Sequence, residues 1–254
     1  MNDEQVLKSR FSDLATKSYK QNIYTYTAFL TPCELKLLED MGEELSYVSH
    51  DTFGGHELCE RKIARFGSVE QLGYDEEWPI STILVEPLID KFADELSHRD
   101  FLGSIMNLGI DRGVLGDILV KDGKRAYIFC HDRIAEYLAE NITKIRHTNV
   151  RCRVLLKGED VPELKVNLTE MSIVVAAPRF DAIVAALAKC SRSEAQNLFR
   201  AGKVTLGGRV CEKNSLSLKD GDIFSIRGHG KYRFCGNNGE TRKGRIYVRL
   251  EKYQ

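Results

Sequence analysis

The residues best suited to chemistry lie in the stretch SRSEAQNLFRAGKVTLGGRV, positions 191–210. Arg192, Gln196 and Arg200 recur at i, i+4 and i+8, so a helix would set them along one side. Ser191 is a good N-cap, and Glu194 three residues later completes a capping box. Ser193 belongs to the same first turn, and Lys203 and Arg209 extend the positive charge past the helix end. Upstream, RFDAIVAALAKC predicts a second short helix, with Asp181 as its cap and Arg179 just outside. The chemistry these residues suit is the holding of phosphate. Helix starts present free N–H groups and a positive dipole end, and arginine adds a forked donor.

Two later stretches carry the same signature. RGHGKYRF (227–234) and TRKGR (241–245) are basic loops bounded by glycines, which let a backbone approach phosphate closely. Arg227, His229, Lys231, Arg242, Lys243 and Arg245 are candidate contacts there, and each could equally be part of a solvated hairpin tip. His98 and Arg99 open the triplet HRD, which is shared with protein-kinase catalytic loops. The kinase pattern requires Asn five positions after the Asp, and this chain has Ile105. A helix start, or a tRNA contact by His98 and Arg99, is the better reading. No catalytic residues are assigned.

Local signals predict the elements that hold these side chains. Gly202 should end the 192–200 helix, and KVTL and RV should pair around Gly207–Gly208. Ala195, Leu198 and Phe199 would face a core. Before them, residues 78–156 alternate strand and helix patterns in the order β-α-β-β-α-β, with an Asp-Gly reversal in KDGK and a helix DRIAEYLAENI capped by Asp132. That order predicts a ferredoxin-like sandwich, the topology of many RNA-recognition motifs. Tyr127 and Phe129 share one strand face, where they could stack bases or pack a core; RAYIFC lacks the usual glycine-aromatic octapeptide, which favours the core. The first 75 residues predict a small helical domain. Thr31, Pro32 and Glu34 start one of its helices, and HELCERKIARFG fits either helix or strand. The expected fold class is thus α+β in three domains: an acidic, mostly helical 1–75, an RRM-like 76–170, and a basic 171–254.

Charge separates these segments. The chain of 254 residues has 37 basic and 37 acidic side chains. Residues 1–97 nevertheless carry a net −10, residues 98–178 a net +1, and residues 179–254 a net +9. A basic module on an acidic front points to a polyanionic partner for the last third. The seven cysteines form no C-x-x-C pair, so they read as reduced thiols, not as a metal centre. There is no signal peptide pattern, no apolar run approaching the roughly 20 residues of a membrane helix, and no G-x-G-x-x-G loop. The expectation is a cytoplasmic protein with no membrane association, metal or cofactor.

The order PRFDAIVAAL…SRSEAQNLFRAGKVTLGGRV…LKDGDIFSIRG resembles the αL RNA-binding module of small-subunit ribosomal protein four. Phe180 stands where that family usually has leucine, and Gly207 where it usually has asparagine. The blocks FGGHELCERKIA, SHRDFLGSIMNLGIDRGVLGDI, SIRGHGKYRF and TRKGR resemble, in the same order, the YlmH-type RNA-binding proteins of Gram-positive bacteria. The resemblance implies that Arg179, Ser191, Arg192, Ser193, Gln196, Arg200 and Lys203 face RNA. It implies partners as well: rRNA and tRNA on a large ribosomal subunit obstructed by peptidyl-tRNA, together with quality-control factors, with the protein a monomer off the ribosome. αL modules also ride on enzymes, usually ahead of a catalytic domain, whereas here the module comes last. Two alternatives stay open: an RNA-modifying enzyme with its catalytic site in residues 1–170, and a scaffold acting in cell division.

Overall fold

The computed structural model describes residues 3–159, 161, 168–242 and 244–253. They fall into two compact units, Met1–Leu164 and Lys165–Gln254. The first unit contains two sheets. Helix α1 (Asp3–Gln21) and helix α2 (Pro32–Asp40) pack beside a three-stranded sheet of β1 (Thr25–Tyr26), β2 (His50–Phe53) and β3 (Ile63–Phe66), ordered β1-β3-β2. Phe11, Ala15, Leu38, Leu45, Ala64 and Phe66 form the local core. Thr31 caps α2: Glu34 N–H donates to Thr31 Oγ1, and Thr31 N–H donates to the Glu34 carboxylate. The ambiguous segment HELCERKIARFG resolves as loop and strand, because Ile63, Ala64 and Phe66 are needed in a ladder with both neighbours. The first 75 residues are therefore helices and a small sheet together, closing with the one-turn helix α3 (Val69–Leu72).

The second sheet of this unit follows the expected β-α-β-β-α-β order, with one further two-residue strand before the last. Its elements are β4 (Ile80–Pro87), α4 (His98–Met106), β5 (Leu115–Lys121), β6 (Arg125–His131), α5 (Asp132–Asn141), β7 (Lys144–Ile145) and β8 (Thr148–Val154). All pairs are antiparallel, in the order β5-β6-β4-β8-β7. Asp122 and Gly123 close the β5–β6 hairpin with positive φ of 54° and 66°. The cap of α5 differs from expectation. His131 is the N-cap, its Nδ1 accepting from Arg133 N–H, while the Asp132 carboxylate is taken by Ser81 Oγ at 2.6 Å. The HRD triplet starts α4, where the Asp100 carboxylate accepts from Ser97 N–H and Ser97 Oγ.

Strand alternation gives this sheet two apolar faces. Ile83, Val85, Ile128 and Cys130 face α4 and α5 in a core with Phe101, Ile105 and Leu138. The opposite face, with Tyr127 and Phe129, meets Phe29, Cys59 and Ile63 from the N-terminal segment. Tyr127 and Phe129 are 4 % and 0 % exposed, so neither ring offers a surface for stacking bases. Gly55 makes the closest approach: its φ is +97°, and a Cβ there would collide with the Phe129 ring. Arg61 ties the same junction. Its Nε donates to Leu115 O, and its Nη2 donates to Phe29 O and Arg112 O, at 2.9–3.0 Å.

The second unit is a six-stranded sheet with two helices on one side. Its strands are β9 (Leu168–Val175), β10 (Val204–Leu206), β11 (Arg209–Val210), β12 (Ile223–Ile226), β13 (Gly230–Glu240) and β14 (Ile246–Tyr253), ordered β11-β10-β12-β13-β14-β9. Helices α6 (Phe180–Ala188) and α7 (Arg192–Arg200) cover the apolar face. Phe180 stands edge-on to Phe199 and Phe224, with ring centroids 5.1 Å apart in both pairs, and Val248 and Leu250 are fully buried behind them. The pairing of β9 with β14 joins the segment after residue 165 to the basic module.

Candidate nucleic-acid interface

The two short helices of the second unit follow one another, and the Arg192 side chain at the start of α7 reaches Asp181 in the first turn of α6. Helix α6 is strongly apolar and buries Ile183, Val184 and Ala185. Helix α7 buries only Ala195 and Phe199, leaving its other faces polar. A tight connection over 189–191, with Lys189 at φ 52°, reverses the chain between them. Ser191 forms the expected capping box: its Oγ accepts Glu194 N–H at 3.2 Å, and Ser191 N–H donates to Glu194 Oε2 at 2.8 Å. The Ser191 N–H, and the Ser191 hydroxyl donating to the same carboxylate at 2.8 Å, hold the Glu194 pKa below the usual carboxylate range. Ala201 is the C-cap and Gly202 follows at φ 63°, as the expected C′ glycine.

Asp181 differs from its expected role. Arg179 is the N-cap residue of α6, without a side-chain capping bond, and Asp181 lies inside the first turn. The Asp181 carboxylate is 0 % exposed and binds two arginines: Arg179 through Nε and Nη2, and Arg192 through Nη2 at 2.9 Å. The arginine side chains remain 46 % and 54 % exposed. One inward carboxylate thus pins two outward guanidiniums, one from the residue that starts each helix. The group of three keeps one net positive charge. A signal for it exists in the sequence, an Arg-x-Asp followed eleven residues later by an arginine at a helix start, but the bond across two helices is not a local pattern.

The other candidate residues take several places in this unit. Ser193 is exposed in the first turn of α7, Gln196 is half-buried one turn on, and Arg200 is exposed at the last turn. Among the described residues no carboxylate pairs with Arg200. Lys203 follows α7 with an exposed side chain, and Arg209 is exposed on β11. Arg227 and His229 form the exposed β12–β13 turn. Lys231 lies beyond that turn, on β13 itself, with its Nζ 4.7 Å from the centre of the Tyr253 ring. Burial, reinforced by Arg233, lowers its pKa to about 8. Arg242 and Arg245 are exposed in the β13–β14 loop, and Lys243 lies outside the described residues. In the first unit His98 is the first residue of α4, beside exposed Arg99. His98 is exposed at the surface, and partial desolvation and the nearby Arg112 lower its pKa against an opposing pull from Asp117.

The described residues hold no group of three or more His, Cys, Asp or Glu side chains that could bind a metal ion, and no helix long and apolar enough to cross a membrane. Cys59, Cys130 and Cys152 have pKa values pushed up to about 12 by burial.

Comparison with known proteins identifies both RNA-binding parts. Residues 76–157 match the family model "Putative RNA-binding domain in YlmH", and residues 178–224 match the S4 domain. The chain is 28 % identical over 229 residues to "Ribosome-associated protein quality control protein P2" of Bacillus subtilis (strain 168), covering 89 % of this chain and 86 % of that one. A solved structure titled "Cell division protein ylmH from Streptococcus pneumoniae" is similar in fold, with a TM-score of 0.50 and 21 % identity, covering 63 % of this chain and 96 % of that chain. The YlmH-type domain and the C-terminal S4 (αL) domain of the sequence reading are both present.

Proposed function

We propose that this chain, which carries a YlmH-type RNA-binding domain and an S4 domain, is a non-enzymatic factor that grips RNA on the ribosome through the arginines that open α6 and α7. The observation that carries this reading is the Arg179–Asp181–Arg192 cluster. A fully buried carboxylate is costly unless it is paired and hydrogen-bonded. Asp181 is paired twice, and the result is two guanidiniums held in fixed, half-exposed positions at the positive ends of two helix dipoles. Arg200 and Lys203 extend the charge along α7 into the next strand. This surface suits a ribose-phosphate track.

A role in ribosome-associated quality control follows the name of the Bacillus relative. The finer assignments, rRNA and tRNA at the large subunit and stalled nascent chains as the object of that control, follow from the resemblance to the YlmH-type proteins. The −10 of residues 1–97 keeps that front away from RNA and leaves the grip to the last third.

Co-sedimentation with ribosomes across a salt series tests the reading. With four to six phosphate contacts, log K should fall against log salt with a slope of about −3 to −4. A flat response would overturn the electrostatic grip. Arg192→Ala combined with Arg200→Ala should weaken binding by about 1–3 kcal/mol, the strength of lost charge-assisted bonds. Asp181 retains Arg179 in that variant, so the fold should persist by circular dichroism; parental affinity would show that the face is wrong. Mass spectrometry of rRNA and tRNA from a deletion strain addresses the non-enzymatic part, and a missing base modification would overturn it.

A further inference from the structure

The sheet of the second unit has an outer face that the helix pair does not use. Val248 and Leu250 point into the core beneath α6 and α7, so alternation turns Tyr247 and Arg249 the other way. Tyr247 and Arg249 thus share one side of β14, and Arg245 lies in the loop immediately before the strand, so a cation precedes the ring and another follows it. The register sets Tyr247 opposite Val174 and Arg249 opposite Ser172 of β9. Tyr247 is 39 % exposed and Val174 40 %, a large exposure for a directly paired apolar couple. Beside them Val174, Thr241, Arg242 and Arg245 line a groove of about 430 Å³.

Arg242 and Arg245 line this groove, and Arg249 lies on the strand beside it. Arg249 donates from Nε and Nη2 to Cys235 O at 3.3 and 3.1 Å, which holds its guanidinium against the sheet without a carboxylate. The loop bearing Arg242 and Arg245 is closed by Thr241 N–H donating to Arg245 O, and by Arg245 N–H donating to Thr241 Oγ1. Among the described residues, none of these three arginines has an ion-pair partner. Glu251, toward the other end, is already paired with Arg233 at 3.0 Å, while Glu240 ends β13 beside the groove opposite Ile246. β9, β13 and β14 all lie outside the residues that match the S4 domain.

We propose that this outer face is a second RNA contact, which takes an unpaired nucleotide by stacking its base on Tyr247 and holding the flanking phosphates on Arg245 and Arg249. The proposal rests on the reading of the chain as an RNA-binding factor and adds a substrate class to it, single-stranded RNA. An isolated ring between cations favours that class, because a base inside a duplex has no free π-face to offer while an unpaired base does. The helix starts and the ring lie on opposite sides of one sheet, so the two contacts take separate stretches of RNA.

Fluorescence anisotropy on the full chain tests this, with a labelled ten-nucleotide uridine RNA as one probe and a closed RNA hairpin as the other. Tyr247→Ala should weaken the uridine probe by at least about 5-fold, the lower end of base–aromatic stacking, and leave the hairpin unchanged. Tyr247→Phe should restore the uridine probe. Equal affinity of Tyr247→Ala and parent for the uridine probe overturns the proposal, as does a Phe variant no better than Ala. The Arg192→Ala, Arg200→Ala variant separates the two readings. Loss of hairpin binding there with an unchanged Tyr247→Ala leaves the helix-start grip standing and removes the groove, whereas no RNA binding by the parent removes both.

Discussion

Single residues in the second unit show how charge is rationed. Asp181 spends one buried negative charge to orient two arginines, while Lys231 carries a positive charge where the fold resists it. Its pKa of about 8 lies below the 10.5 of an ordinary lysine, and burial is the larger cause. A lysine depressed in this way costs stability at every pH where it must be charged. The cost is full below about pH 8 and fades as pH rises toward the unfolded value. Lys231→Met should therefore raise the melting temperature at pH 7, and its advantage should shrink by pH 10. A melting temperature unchanged at pH 7 would mean that contact with the Tyr253 ring outweighs the desolvation. Of these residues, Ser191, Glu194 and Gly202 were legible in the sequence because a cap is a local device, complete within four residues. Asp181 was not: its second arginine comes from the next helix, and only the packing of α6 on α7 brings the two together.

At the level of elements, β6 carries two aromatic residues in the alternation that an RNA-reading sheet would use, yet the fold hides them. The β-α-β-β-α-β order, the Asp-Gly hairpin and the α7–β10 unit could all be read from periodicity and turn residues. What covers the β6 rings could not, since Gly55 and Phe129 are far apart in sequence and their contact has no periodic trace. Gly55 carries two constraints at once, a left-handed backbone and no room for a methyl group against the Phe129 ring. Gly55→Ala should cost about 1–3 kcal/mol, the range for overpacking, with some further strain from φ. Urea unfolding should show a lower midpoint with an unchanged slope. A neutral substitution would show that the β2–β3 loop moves aside freely and that the β6 face can open.

Across the whole molecule, charge and architecture divide together. Residues 179–254 hold 16 basic and 7 acidic side chains and lie entirely within the Lys165–Gln254 unit. That unit has a core of its own, built on Phe180, Phe199, Phe224 and Val248. A fragment of residues 165–254 should fold alone and keep the salt-dependent RNA affinity of the full chain within about threefold, while residues 1–164 should show little affinity. Anisotropy on the three proteins decides this; equal binding by the two fragments would mean that the acidic front takes part in the grip. The chain's single tryptophan, Trp78, packs in the first unit near Tyr26 and Phe53, so its emission reports that unit alone. The Arg61 tie has a consequence for how such pieces are cut. Because one guanidinium serves carbonyls at 29, 112 and 115, a recombinant segment trimmed to the 76–157 match would lose that clasp and bare the rings of Tyr127 and Phe129 to water. Evolution faces the same restriction as the cloner: the front segment through β3 and the sheet behind it must travel between genes as one cassette.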